Sequence, residues 1–103
     1  MTKFLVERQF TVGEDEMPKV GRRSRQLIEE DFPEITWYHS HVVVGDDGKV
    51  KTYCVYEAPT EDAVLAHSQE LGLHDVTYIG EIAGDVTPDD FPLDGDAAPA
   101  HAH

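Results

Sequence analysis

The residues best able to do chemistry in this 103-residue chain crowd into 37–57, WYHSHVVVGDDGKVKTYCVYE, where His39, His41 and Cys54 lie in two β-rich runs. Gly45-Asp46-Asp47-Gly48 between the runs predicts a tight antiparallel hairpin. With Val44 opposite Lys49, His39 faces Cys54 and His41 faces Thr52. Alternate strand residues share a face and opposed Cβ atoms stand roughly 5 Å apart, so two imidazoles and a thiol would converge. Imidazole suits zinc, copper, iron and nickel, and thiolate adds a soft donor, which makes the trio a partial transition-metal site. A slip of one residue in register would dissolve it. The competing reading is a half-exposed sheet face on which each histidine is hydrogen-bonded and Cys54 merely packs. The paired Cys or His spacings of a zinc finger are missing.

The elements that must position these groups follow from periodicity. A first strand is expected over 4–10, with Phe4 and Val6 on one face and Leu5 and Glu7 on the other. A helix over about 18–31 carries Val20, Leu27 and Ile28 at helical spacing, with Pro18 in its first turn and Arg22, Arg23 and Arg25 on its polar side. Those arginines could bind a phosphate or carboxylate, or form an ordinary solvated face. After Phe32-Pro33 and the hairpin, Pro59-Thr60-Glu61-Asp62 opens a second helix that Gly72 closes after Leu71. Its stripe of Ala63, Val64, His67 and Leu71 turns His67 inward, either as a buried, hydrogen-bonded imidazole or as a ligand or proton carrier. His74, in the following loop, is expected to be exposed. A last strand over about 76–83 completes the order β-α-β-β-α-β, the signature of a ferredoxin-like α+β sandwich with a four-stranded antiparallel sheet and two helices on one face.

In that architecture Phe4, Val6, Val42, Val44, Tyr53 and Val55 are expected beneath the helices, and Leu5, Glu7, Ile35, Trp37, His39, His41, Cys54 and Tyr56 on the open face. So much apolar surface predicts a homodimer through the open face, of the dimeric α+β barrel kind. Burial there would strengthen coordination by the polar cluster. Glu7 then ranks above Glu57 as a further ligand, because Glu57 falls on the other face. The candidate metal ligands are thus His39, His41, Cys54, Glu7 and His67.

Composition sets the outer limits. The length suits one ferredoxin-like domain over 1–84, followed by an Asp/Pro/Ala/Gly-rich acidic tail over 85–103 that is expected to be largely disordered, with Phe91 and Leu93 docking loosely. His101 and His103 in that tail would bind metal only adventitiously. A formal charge of −13 argues against nucleic acid and anionic membranes as partners. One cysteine excludes an intramolecular disulfide, and without a signal-peptide pattern or a long apolar run the chain is expected to be soluble and cytoplasmic.

Trp37-Tyr38-His39-Ser40, then Tyr53-Cys54-Val55-Tyr56-Glu57-Ala58-Pro59, then Ala63-Val64 and His67, resemble a small nickel-binding, ferredoxin-like family otherwise described as a domain of unknown function. The resemblance spans about residues 3–85. It implies a homodimer that can bind nickel, with no established catalytic reaction for most members, and marks His39, Ser40, Cys54, Tyr56, Glu57 and His67 as family-typical. His41 departs from the pattern, where an aromatic or aliphatic residue is more usual, and so does the acidic tail. Three functions compete. The first is a nickel-binding protein for storage, buffering or sensing. The second is a dimeric α+β-barrel enzyme of the small monooxygenase type with His39 or His67 as proton carrier, and the third a non-catalytic binding or dimerisation module. The histidines have no second catalytic group at diagnostic spacing, which leans against an enzyme.

Overall fold

A computed structural model of the chain describes residues 1–94. Strand β1 (Thr2–Gly13) leads through a short 3-10 turn into helix α1 (Met17–Asp31). The hairpin of β2 (Thr36–Val44) and β3 (Lys49–Ala58) follows, then helix α2 (Glu61–Leu71) and strand β4 (His74–Glu81). The sheet runs β2-β3-β1-β4 with antiparallel neighbours, so the expected ferredoxin-like βαββαβ arrangement is the one formed. Thr60 Oγ1 accepts the Ala63 N–H at 3.2 Å to start α2, and the Gly72 N–H reaches Ser68 O at its end.

Both helices cover one face of the sheet. Val20, Ser24 and Ile28 of α1 and Val64, His67, Ser68 and Leu71 of α2 are buried against Phe4, Val6, Arg8 and Phe10 of β1 and Val50, Thr52, Cys54 and Tyr56 of β3. The apolar core falls into two clusters, one around Phe4, Val6, Ile28, Tyr56 and Val64 and the other around Phe10, Val20, Val50 and Leu71. Arg8 and Thr52, opposite each other in the β1–β3 ladder, lie between them.

The hairpin register corrects the sequence reading. Val44 lies opposite Val50, not Lys49, so His41 faces Tyr53, Ser40 faces Cys54 and His39 faces Val55. The cause is Gly48. The Gly48 N–H bonds Gly45 O and Gly45 pairs with Lys49, which leaves a three-residue loop whose last residue, Gly48, sits at φ +80°. A loop of this kind adds one bulged residue and shifts the partner strand by one.

A second irregularity acts at Tyr38. Trp37 opposes Tyr56 while His39 opposes Val55, so Tyr38 is an extra residue on β2. It sends Trp37 to the helix side although Trp37 and His39 have the same parity. Four residues expected on the open face therefore lie on the helix side: Ile35, Cys54 and Tyr56 are buried in the core and Trp37 packs against it. Tyr53 and Val55, expected beneath the helices, are on the open face with Leu5, Glu7 and Glu57. Val42 and Val44 keep their expected side but remain about half exposed at the sheet edge.

Beyond β4, Thr87 caps a 3-10 turn, Pro88–Asp90, and Phe91 is exposed. His101 and His103 lie outside the described residues. No helix among the described residues is long and apolar enough to cross a membrane.

Candidate functional site

The sequence candidates separate into two places, one on each face of the sheet. On the open face, His39 and His41 are exposed neighbours whose ring centroids lie 5.4 Å apart at an interplanar angle of 73°. Tyr53 stands opposite both His41 and Glu7, which brings Glu7 onto the histidines' face across two strands. The Glu7 carboxylate accepts the Thr77 hydroxyl at 2.7 Å and lies 3.9 Å from Lys51 Nζ. The Thr77 hydrogen bond comes first, and Lys51 assists, in holding the Glu7 carboxyl below its ordinary range. Glu57 shares this face, contrary to expectation, and accepts a short hydrogen bond from Tyr38. That bond pushes the Tyr38 phenol up.

Cys54 is absent from this group. It is 3% exposed on the helix side, and its thiol donates to Thr52 Oγ1 at 3.4 Å. His67 is fully buried on that same side. The expected convergence of His39, His41 and Cys54 is thus not formed, because the sheet itself intervenes. Among the described residues no three of His, Cys, Asp and Glu gather closely enough to hold a metal ion.

The inner polar group centres on a residue the sequence reading passed over. Arg8 is 2% exposed and reaches Tyr56 Oη at 2.6 Å, Ser68 Oγ at 2.7 Å and His67 Nδ1 at 3.4 Å. All these partners are neutral, and no carboxylate among the described residues pairs with Arg8. Its Nε is buried without a hydrogen-bond partner. The signal was present in the sequence: Phe4, Val6, Arg8 and Phe10 alternate on one parity, so a cation occupies a core position of an otherwise apolar strand.

Arginine only donates, so His67 Nδ1 must be the acceptor, and the neutral ring carries its proton on Nε2, where it meets Ser24 Oγ at 3.2 Å. Burial, and then the Arg8 cation, push the His67 ring down to about 4. Burial likewise pushes the Tyr56 phenol up. His74, expected to be exposed, is partly buried. Its ring lies 4.9 Å from that of Phe10, its Nδ1 bonds Gly72 O at 2.8 Å, and burial lowers it too.

The α1 arginines make no hydrogen bond or ion pair to either group, although Arg25 and Glu29 line a surface pocket with Tyr38 and His39. Arg25 pairs with exposed Glu29 at 2.7 Å, and Arg23 donates to Glu70 O at 2.9 Å, tying α1 to α2.

The model of the nickel responsive protein SCO4226-like family matches residues 4–82, from the third residue of β1 past the end of β4. This chain belongs to that family. The match covers every element that positions both polar groups, and it bears out the nickel-related resemblance carried by the Trp37–Ser40 and Tyr53–Pro59 strings. No curated protein and no solved structure matches the chain.

Proposed function

We propose that this chain is a nickel-binding protein that stores, buffers or senses the ion, with His39 and His41 as its imidazole ligands. The observation that carries the reading is the side-by-side placement of these two exposed rings in a chain of a nickel responsive family. Imidazole nitrogen is a good donor for nickel, and two rings on one strand face can bind one ion without rearranging the fold. Glu57, on the neighbouring strand, and Glu7, two strands away, share the face as candidates for an oxygen donor, although Tyr38 engages the first and Thr77 and Lys51 the second.

A single chain offers too few donors to close a nickel coordination shell, so the remaining positions fall to water or to a second copy. The open face supports the latter: besides the histidine pair it carries Leu5, Val43 and Tyr78, each more than a third exposed. A homodimer through this face would bring two His39/His41 pairs together and cover that apolar surface. His67 and Cys54 stand outside this ligand set, His67 because its Nδ1 already faces a guanidinium that would repel a metal cation.

The test is a calorimetric nickel titration of the full-length chain carrying His101→Ala and His103→Ala, which removes the tail imidazoles. Stoichiometric, micromolar binding that disappears on adding His39→Ala and His41→Ala supports the reading. Binding unchanged by those two substitutions, or no binding in the parent, overturns it.

A further inference from the structure

The buried cation and the space beside it carry a second proposal, independent of the nickel reading. Between α1 and the sheet lies a cavity of about 140 Å³. Met17, Val20 and Gly21 of α1, Trp37 and Val42 of β2, and Arg8 of β1 are among the residues that line it. Val42 is about half exposed and Trp37, Met17 and Gly21 are partly exposed, so this wall faces the edge of the sheet rather than the centre of the core.

Two features of the cavity are unfavourable to the fold as it stands. Burying a charge with only neutral partners costs several kcal/mol by the general behaviour of ions in proteins, yet Arg8 is 98% withdrawn from solvent with no acid beside it and an unpartnered Nε. The second feature is Gly21, a glycine inside a helix, where alanine is the better residue. A Cβ built on Gly21 meets nothing within 4 Å, so close packing does not demand the glycine and the cavity wall is open at this point.

We propose that this cavity binds a small organic monocarboxylate, whose apolar body fills the space and whose carboxylate supplies the counter-charge that Arg8 lacks. Size sets the body: an apolar cavity of about 150 Å³ accommodates a benzene ring. Charge sets the head: Nη1 and Nη2 of Arg8 are held by Tyr56, Ser68 and His67, and a carboxylate oxygen can take the remaining Nε–H while its charge offsets the guanidinium. The chain's formal charge of −13 disfavours polyanions, so a single carboxylate on a compact apolar body suits the site better than a phosphate ester.

The test uses the full-length chain with benzoate as the probe and benzyl alcohol as its uncharged counterpart, read by calorimetry and by melting temperature at fixed ionic strength. Benzoate is expected to bind and raise the melting temperature, with benzyl alcohol at least about tenfold weaker. Gly21→Leu, which extends a side chain into the open wall, is expected to weaken benzoate at least about tenfold while the protein stays folded. Arg8→Met is expected to erase the preference for benzoate if it folds, and Gly21→Leu decides the matter if it does not. Equal affinity for the two probes, no response to benzoate, or full retention of benzoate affinity in Gly21→Leu each overturns the proposal.

Discussion

Ser40 stands directly opposite Cys54 across the β2–β3 ladder. That one pairing puts the thiol on the helix side of the sheet and leaves His39 and His41, the neighbours of Ser40, on the open side. A metal held by the two imidazoles therefore cannot use the thiol of the same chain. Cys54→Ala is expected to leave nickel affinity unchanged in the calorimetric titration, whereas His39→Ala weakens it. The same burial predicts that Cys54, 3% exposed, reacts with iodoacetamide much more slowly than a free thiol while the protein is folded. Alkylation at the rate of a free thiol under native conditions would contradict this placement.

The register behind that pairing depends on Gly48 at φ +80°. A side chain there must adopt the left-handed conformation, which glycine enters freely and asparagine tolerates better than most residues. Gly48→Ala is expected to lower stability by about 1 kcal/mol and Gly48→Asn by less, measured as shifts in the urea midpoint. An equal effect of the two would argue against a left-handed bulge as the device that sets the register.

His67 gives the fold a pH dependence whose direction follows from its surroundings. Its folded value, about 4, lies below that of an unfolded histidine near 6.5, so the unfolded chain binds the proton more readily. The contribution is complete above the unfolded value and is lost as pH falls from about 6.5 toward 4, amounting to as much as about 3 kcal/mol. His74, lowered by burial, acts in the same direction. His67→Gln is expected to reduce the slope of unfolding free energy between pH 6.5 and 4, with His74 and Glu7 supplying part of what remains. A slope identical to that of the parent would mean that His67 does not titrate on unfolding as its burial requires.

The order of elements and the inward turn of His67 were legible because they rest on periodicity, which sequence displays directly. The α2 stripe of Val64, His67 and Leu71 is buried as its spacing requires. Face assignments in β3 were not legible, because they hang on one residue: Gly48 as a bulge, rather than as the fourth member of a tight turn, moves Cys54 and Tyr56 to the core and Tyr53 and Val55 out of it. Tyr38 does the same for Trp37, and no local pattern distinguishes it from an ordinary strand residue. Arg8 differs from these. Its parity with Phe4, Val6 and Phe10 announced a buried cation, and only its partners, brought from α2 and β3, needed the fold.

Gly21 offers a stability measurement that is independent of any ligand. It lies within α1 at a point where an added Cβ meets nothing within 4 Å and the backbone is helical, so alanine there introduces neither a clash nor a strained dihedral. The unfolded chain loses freedom and the helix gains propensity, and Gly21→Ala is expected to stabilise the protein by about 0.5–1 kcal/mol in urea denaturation. The extra methyl is too short to occlude the cavity, so benzoate affinity should fall far less than in Gly21→Leu. A destabilised Gly21→Ala would show that α1 packs more tightly over Trp37 and Val42 than the open wall indicates, and the cavity would then be too narrow for an aromatic body.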